Sequence, residues 1–229
     1  MSTANTRPDT GRRRRATAEG TPTSRSTADA TPTVRASADR PRGAARREAL
    51  LEAVLRIAAE VGPDAVTHRR VAEVADLPLA STTYWFDSKE HLLTAALELA
   101  ADRDVARLQA LAAEPGDDTD PVELAVAAIL DPLDESPQAS RGSLVATYAL
   151  LLEAARRPAL QAVARRWTAA YLEVLGRLFA LAGSRDPRAD SELLLGAADG
   201  LLIEQLATGD AADLAPQLRR LARALLEAA

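Results

Sequence analysis

From Ala44 to the C-terminus, apolar residues recur at intervals of three and four and nowhere alternate convincingly. Leu50, Leu51, Val54, Leu55, Ala58 and Val61 set the pattern. That period belongs to one face of an α-helix, whereas a half-buried strand repeats in twos. Aromatic residues make up only 3% of the 229-residue chain, although hydrophobic residues reach 47%, with Ala and Leu dominant. Strands favour β-branched and aromatic side chains, so an all-α fold with a sizeable buried core is expected.

Breaks in the period divide the chain. Gly62 and Pro63 end the first helix, which is expected from Ala44. A short helix is expected from His68 to Ala75 with Thr67 as its cap, then a tight turn at Asp76, Leu77 and Pro78. A third helix follows from Leu79 to Phe86. Asp87 reads as the N-cap of the next helix, with Glu90 as its capping-box partner. That helix runs to about Ala113, and Glu114–Asp117 ends it. Five later helices are expected, near 121–131, 142–156, 158–182, 189–208 and 212–228, with breaks at Pro132, Pro137, Pro158, Gly183–Pro187 and Gly209.

Residues 1–42 differ in kind. They hold one valine and no leucine or aromatic residue, so they cannot bury enough apolar area to offset the entropy of ordering. A disordered tail is expected there, with two readings open: a solvated extension, or an arm whose Arg12–Arg15 run attracts phosphates. Residues 1–47 carry eleven arginines against four acids, although the whole chain has net charge −5. A basic end on an acidic body suits a protein that meets an anionic partner at that end only. With no cysteine and only His68 and His91, disulfides and thiolate metal sites are excluded, and no catalytic or metal constellation or cofactor is expected. No apolar run approaches the ~20 residues of a membrane span, and no apolar stretch follows Arg12–Arg15 as in a secretory signal, so a cytoplasmic location is expected.

Residues 67–93 carry the functional signal. Val71, Ala75 and Leu77 form an apolar seam, Ala72 is small where two short helices cross, and Trp85 and Phe86 supply an apolar end. Two short helices packed near a right angle need these features. The other face of the second helix carries Leu79, Ala80, Ser81, Thr83 and Tyr84, small or hydroxyl-bearing groups that suit the ~12 Å major groove. Arg69 and Arg70, near the first helix's start, can reach guanine or phosphate. Lys89 is the only lysine beside 27 arginines, which suggests a point charge for a phosphate. His68 and His91 read as surface or cap residues.

The order Thr-x-Arg-x-Val-Ala-x-x-Ala, turn, helix, Tyr-x-Phe-x-x-Lys-x-x-Leu-Leu resembles the TetR/AcrR family of bacterial regulators over residues 44–97. The resemblance implies a three-helix DNA-binding domain, here 43–91, and an effector-binding and dimerising domain, here 92–229. Carried over by position, it implies that Thr67, Arg69, Ser81, Thr83, Tyr84, Trp85 and Lys89 face DNA. Where the family usually has Gly in the turn this chain has Asp76, which tolerates the left-handed region better than most residues. Family members often carry Gly at Ala80 and an aliphatic residue at Thr82.

The helix near 189–208 is apolar nearly all round, so it must be covered on every side, most simply by a second copy. Gly196 and Gly200, four apart, permit close approach. Leu201, Ile203 and, from the preceding helix, Leu178 complete the expected dimer contact, and the segment around Asp199–Leu202 resembles the family's dimerisation helix. A homodimer would space its reading helices ~34–36 Å apart and favour a palindromic double-stranded operator. An effector pocket is expected between the long helix and helices near 121–181, with Tyr148, Trp167 and Tyr171 as lining and an apolar or aromatic ligand. The function expected is a ligand-released repressor. The alternatives are a ligand-independent activator or architectural DNA binder and, disfavoured for want of a nucleophile with its base, a helical enzyme.

Overall fold

Nine helices account for nearly all of the described residues of the computed structural model, which are 35–113, 119–130, 137–210 and 212–228. They are α1 (Arg35–Glu60), α2 (His68–Val74), α3 (Leu79–Trp85), α4 (Lys89–Ala113), α5 (Pro121–Leu130), α6 (Pro137–Ala154), α7 (Pro158–Leu181), α8 (Pro187–Thr208) and α9 (Ala215–Ala228). A single 3-10 turn, Pro63–Ala65, lies between α1 and α2. No strand occurs among the described residues, and no helix there is long and apolar enough to cross a membrane. The breaks expected at 114–117 and Pro132, and the Arg12–Arg15 run, lie outside the described residues.

Several boundaries differ from the sequence expectation, each for a local reason. α1 begins at Arg35 rather than Ala44, and so takes in residues 35–42, which were expected to belong to the tail. Ala36, Ala38, Arg40 and Arg42 are good helix formers, and the helix continues through Pro41 although proline there removes one backbone donor and crowds the preceding turn. Pro137 does not separate helices but opens α6, and Pro121, Pro158 and Pro187 likewise stand first in α5, α7 and α8. Proline suits that position because its missing N–H has no helical partner there and its φ is already helical. The cap of α4 is Ser88, not Asp87: Ser88 Oγ accepts from the His91 N–H at 3.1 Å. His91 Nδ1 in turn accepts from the Asp87 N–H at 3.4 Å, so histidine fills the reciprocal role expected of Glu90.

Two apolar cores hold the helices. The first joins α1, α2 and the first half of α4 to the ends of α6 and α7 that face them, through Leu50, Val54, Phe86, Leu93, Leu150 and Leu160. The second joins the end of α4 to α5, the second half of α7, α8 and α9, through Leu108, Val126, Leu175, Phe179, Leu194 and Leu218. Tyr171 packs against both. Packing is therefore continuous across the boundary expected at 91/92, and α4 and α7 run through both cores. At ~1.5 Å per residue, α4 spans on the order of 40 Å, a stiff link from the α2–α3 pair to the far end of the molecule.

Candidate nucleic-acid interface

Thr67 opens α2 in extended backbone, and its Oγ1 accepts from the Arg70 N–H at 3.2 Å. The other end of α2 closes on Asp76 at φ 52, the only non-glycine residue with positive φ among the described residues. The Leu77 N–H reaches the Ala72 carbonyl at 3.0 Å and the Asp76 N–H reaches Glu73 at 3.3 Å. These two bonds form a Schellman cap, whose left-handed position usually takes glycine. Asp76→Gly should therefore be neutral or raise stability, whereas Asp76→Val should lower it by ~1–2 kcal/mol in chemical denaturation, because a branched Cβ clashes at that φ.

The turn delivers α3 with a clear division of faces. Thr82 is fully buried, and its hydroxyl donates to the Leu79 carbonyl at 2.8 Å, which lets a polar residue occupy an apolar position. Phe86 is buried with the Arg47 guanidinium carbon 5.6 Å from its ring centroid. Leu79, Ala80, Thr83 and Tyr84 point outward, Tyr84 with 78% exposure, and Ser81 sits half-buried at the edge. Trp85 is also half-buried. It packs with the first core, stands edge-on to Tyr84 with centroids 4.9 Å apart, and lies close to Gly43 on α1. Its first role is thus to fasten α3 to α1, and only part of its ring is free to meet a partner.

Two of the three basic candidates, Arg69 and Lys89, are already engaged. Arg69, 84% exposed, donates from Nε to Glu73 Oε1 at 2.9 Å. Lys89 donates to the Asp64 backbone carbonyl at 2.9 Å, with the Asp64 carboxylate at 3.6 Å. An ammonium has three donors, so Lys89 keeps others for a phosphate. Arg70 is half-buried and forms no ion pair with a described residue. The i,i+4 spacing of Arg69 and Glu73 makes their pair readable from sequence. The Asp64–Lys89 contact spans 25 positions and has no such signal. An open hollow of about 620 Å³ is lined by the Arg69–Glu73 pair together with Ala72, Asp76, Leu77, Pro78 and Leu79.

The three aromatic residues expected to line a pocket end on carboxylates. Trp167 Nε1 donates to Asp104 Oδ2 at 2.8 Å and the Tyr171 hydroxyl donates to the same oxygen at 2.6 Å. Arg107 grips Asp104 Oδ1 through Nε and Nη2 and also reaches the Ala128 carbonyl at 2.8 Å. Asp104 thus ties α4 to α7, and Arg107 ties it to α5. Tyr148 donates to Asp199 of α8 at 2.9 Å. Burial first, then the adjacent carboxylate, pushes both phenols well above their usual range, so they remain donors at neutral pH. A second hollow, about 420 Å³, lies between Asp64, Glu90 and the α6–α7 corner; neither hollow touches these aromatic residues.

On α8 the outer stripe Leu193, Gly196, Gly200 and Ile203 is exposed, while Leu194, Ala198 and Leu202 are buried and Leu201 is half-buried. A Cβ placed on Gly196 or Gly200 would meet nothing within 4 Å. Leu178, expected at the dimer contact, is buried in the second core of its own chain and leaves little surface for a partner. Its position on α7 is one that faces α5 and α8 rather than solvent. Among the described residues, no three His, Cys, Asp or Glu side chains gather closely enough to hold a metal ion.

A member of the TetR family from Streptomyces coelicolor A3 has the same fold, with TM-score 0.62 and 30% identity over 79% of this chain and 98% of that one. The chain belongs to the TetR family. It is accordingly a transcriptional regulator, as is a structural neighbour from Rhodococcus sp. Rha1 with TM-score 0.67 and 25% identity, over 79% of this chain and 96% of that chain. The multidrug binding protein EbrR, in its complex with ethidium, matches with TM-score 0.60 and 30% identity over 79% of this chain and 97% of its own. A family model described as the tetracyclin repressor-like C-terminal domain matches residues 118–228. No protein of curated function matches the chain by sequence. Placed in the family, α2 and α3 form the helix-turn-helix.

Proposed function

We propose that this regulator is a repressor that binds a palindromic operator as a homodimer and is released by a small apolar or aromatic effector. The observation that carries this reading is the division of α3, with Thr82 and Phe86 turned into the core and Leu79, Thr83 and Tyr84 turned outward on a firmly seated helix. Such a helix has a free polar face for base edges and an anchor that fixes its angle in the groove. The exposed stripe on α8 supports a second copy there, and two copies would explain why a single short reading helix suffices.

Release requires that an effector move α3. EbrR is a multidrug binding protein seen with ethidium, and the aromatic residues Tyr148, Trp167 and Tyr171 of this chain are the natural platform for a flat apolar ligand. A ligand that wedged between Trp167 and Tyr171 would push their N–H and O–H away from Asp104, and so would loosen α4 from α7. α4 carries Lys89 at its start, directly beside the helix-turn-helix. A shift of α4 therefore changes the seat of the reading head.

Selection of bound genomic fragments by the purified protein tests the proposal. An inverted repeat with half-sites about one helical turn apart is expected; failure to enrich any duplex sequence would refute DNA reading by α3. On the selected operator, Lys89→Ala should weaken binding to all sequences about equally and flatten the log–log salt slope by roughly one unit. Arg69→Ala should act unevenly, costing ~1–3 kcal/mol at one base position and little elsewhere. Equal salt slopes and equal base preferences in both variants would contradict the assigned docking.

A further inference from the structure

We infer that Glu73 is a specificity-determining residue, which holds Arg69 so that the two side chains read one G·C base pair together. The inference rests on the DNA reading proposed above. Arg69 is long and largely exposed, so alone it would sample many rotamers and meet phosphates and bases alike. Glu73, one turn further along α2, takes its Nε–H at 2.9 Å. A guanidinium presents two edges for forked hydrogen bonds, one formed by Nε with one Nη and one by the two Nη groups. Occupation of Nε leaves the Nη end for the fork.

The chemistry of the pair matches one base pair better than any other. Guanine shows two acceptors, N7 and O6, in the major groove, and its partner cytosine shows an amino donor. A guanidinium fork beside a carboxylate presents donors for the guanine and an acceptor for the cytosine. The pair lines the open hollow beside the end of α2 and the start of α3, and both side chains are largely exposed there. In water an exposed pair of this kind is weak, but groove docking excludes solvent and strengthens it. Glu73 also repels phosphates. If Arg69 served only as a phosphate contact, a carboxylate at 2.9 Å would oppose the task; if it reads a base, the carboxylate suppresses binding at wrong sites.

Opposite changes in specific and random binding test the assignment. The full chain and its Glu73→Gln and Glu73→Ala variants are used to select from a randomised duplex library, and each is titrated with a random-sequence duplex across a salt series. Glu73 is an exposed surface residue, and unchanged helicity and melting would confirm that the variants fold. The expected result is that the native chain enriches a G·C pair at one position of each half-site. Both variants should reduce that preference by roughly five- to tenfold, the lower end of what one lost base contact costs, while binding random duplex about two- to threefold more tightly as one repulsive charge is removed. Retention of every base preference by both variants overturns the inference, as does a parallel fall in specific and random binding. Failure of the native chain to enrich any sequence overturns the DNA reading itself, a result distinguishable from either.

Discussion

Asp104→Ala should lower the unfolding free energy by about 3–4 kcal/mol, the largest loss expected from a polar substitution among the described residues. The side chain is only 12% exposed and receives hydrogen bonds from Trp167, Tyr171 and Arg107. Its removal leaves two buried donors without an acceptor and strands a guanidinium that is itself three-quarters buried. Each unsatisfied group costs ~1–3 kcal/mol, and partial access of water to Arg107 keeps the sum below a simple total. Asp104→Asn keeps the shape and one acceptor, so it should lose roughly half as much. Arg107→Met placed on top of Asp104→Ala removes the stranded cation and should recover part of the loss, a non-additivity that a cavity alone would not produce. Urea denaturation followed by helical signal gives all three values. A midpoint unchanged in Asp104→Ala would show that the network adds nothing to stability and would remove it as the tie between α4 and α7.

Legibility in the sequence followed the range of each interaction. Thr67 as a cap, Asp76 in the left-handed turn and the outward face of α3 depend on neighbours within four or five positions, and period and cap chemistry reveal them. The displaced cap at Ser88 shows the limit of that reasoning. Asp87, Ser88 and Glu90 all fit the pattern, and only the position of the first helical turn decides among them, with His91 supplying the return contact. Proline was informative as a boundary but ambiguous in direction: Pro137 can end one helix or begin the next, and here it begins one. Asp104 was invisible. Its partners Trp167 and Tyr171 lie more than 60 positions away, so their spacing on α7 announced only an apolar face and suggested a pocket lining. Leu178, buried within its own chain, shows a related limit. A helix packed between two neighbours buries residues on more than one side, and apolar period alone does not say which side belongs to another chain.

Gly200→Glu should convert the proposed dimer to a monomer and lower operator affinity by roughly 10²–10⁴-fold, the advantage that linkage of two half-site contacts confers. The argument rests on opposite effects at one position. Within the chain, a side chain at Gly196 or Gly200 has open space, and both lie inside a regular helix. Replacing helical glycine by alanine removes backbone freedom from the unfolded state, so Gly200→Ala should stabilise the isolated fold by up to ~1 kcal/mol. Across a subunit contact the same methyl group separates two backbones that glycine lets approach, and Leu193 and Ile203, 57% and 46% exposed, then lose part of their cover. Gly200→Ala should thus melt no lower at concentrations where the protein is monomeric and yet dimerise more weakly. Gly200→Glu adds two buried carboxylates facing one another across a symmetric contact, a like-charge pair that hydrophobic cover cannot offset. Sedimentation equilibrium measures the association, and titration with the selected operator measures its consequence. A Gly200→Glu protein that remained dimeric and bound its operator as tightly as the native chain would place the subunit contact elsewhere, and the exposed stripe of α8 would need another partner.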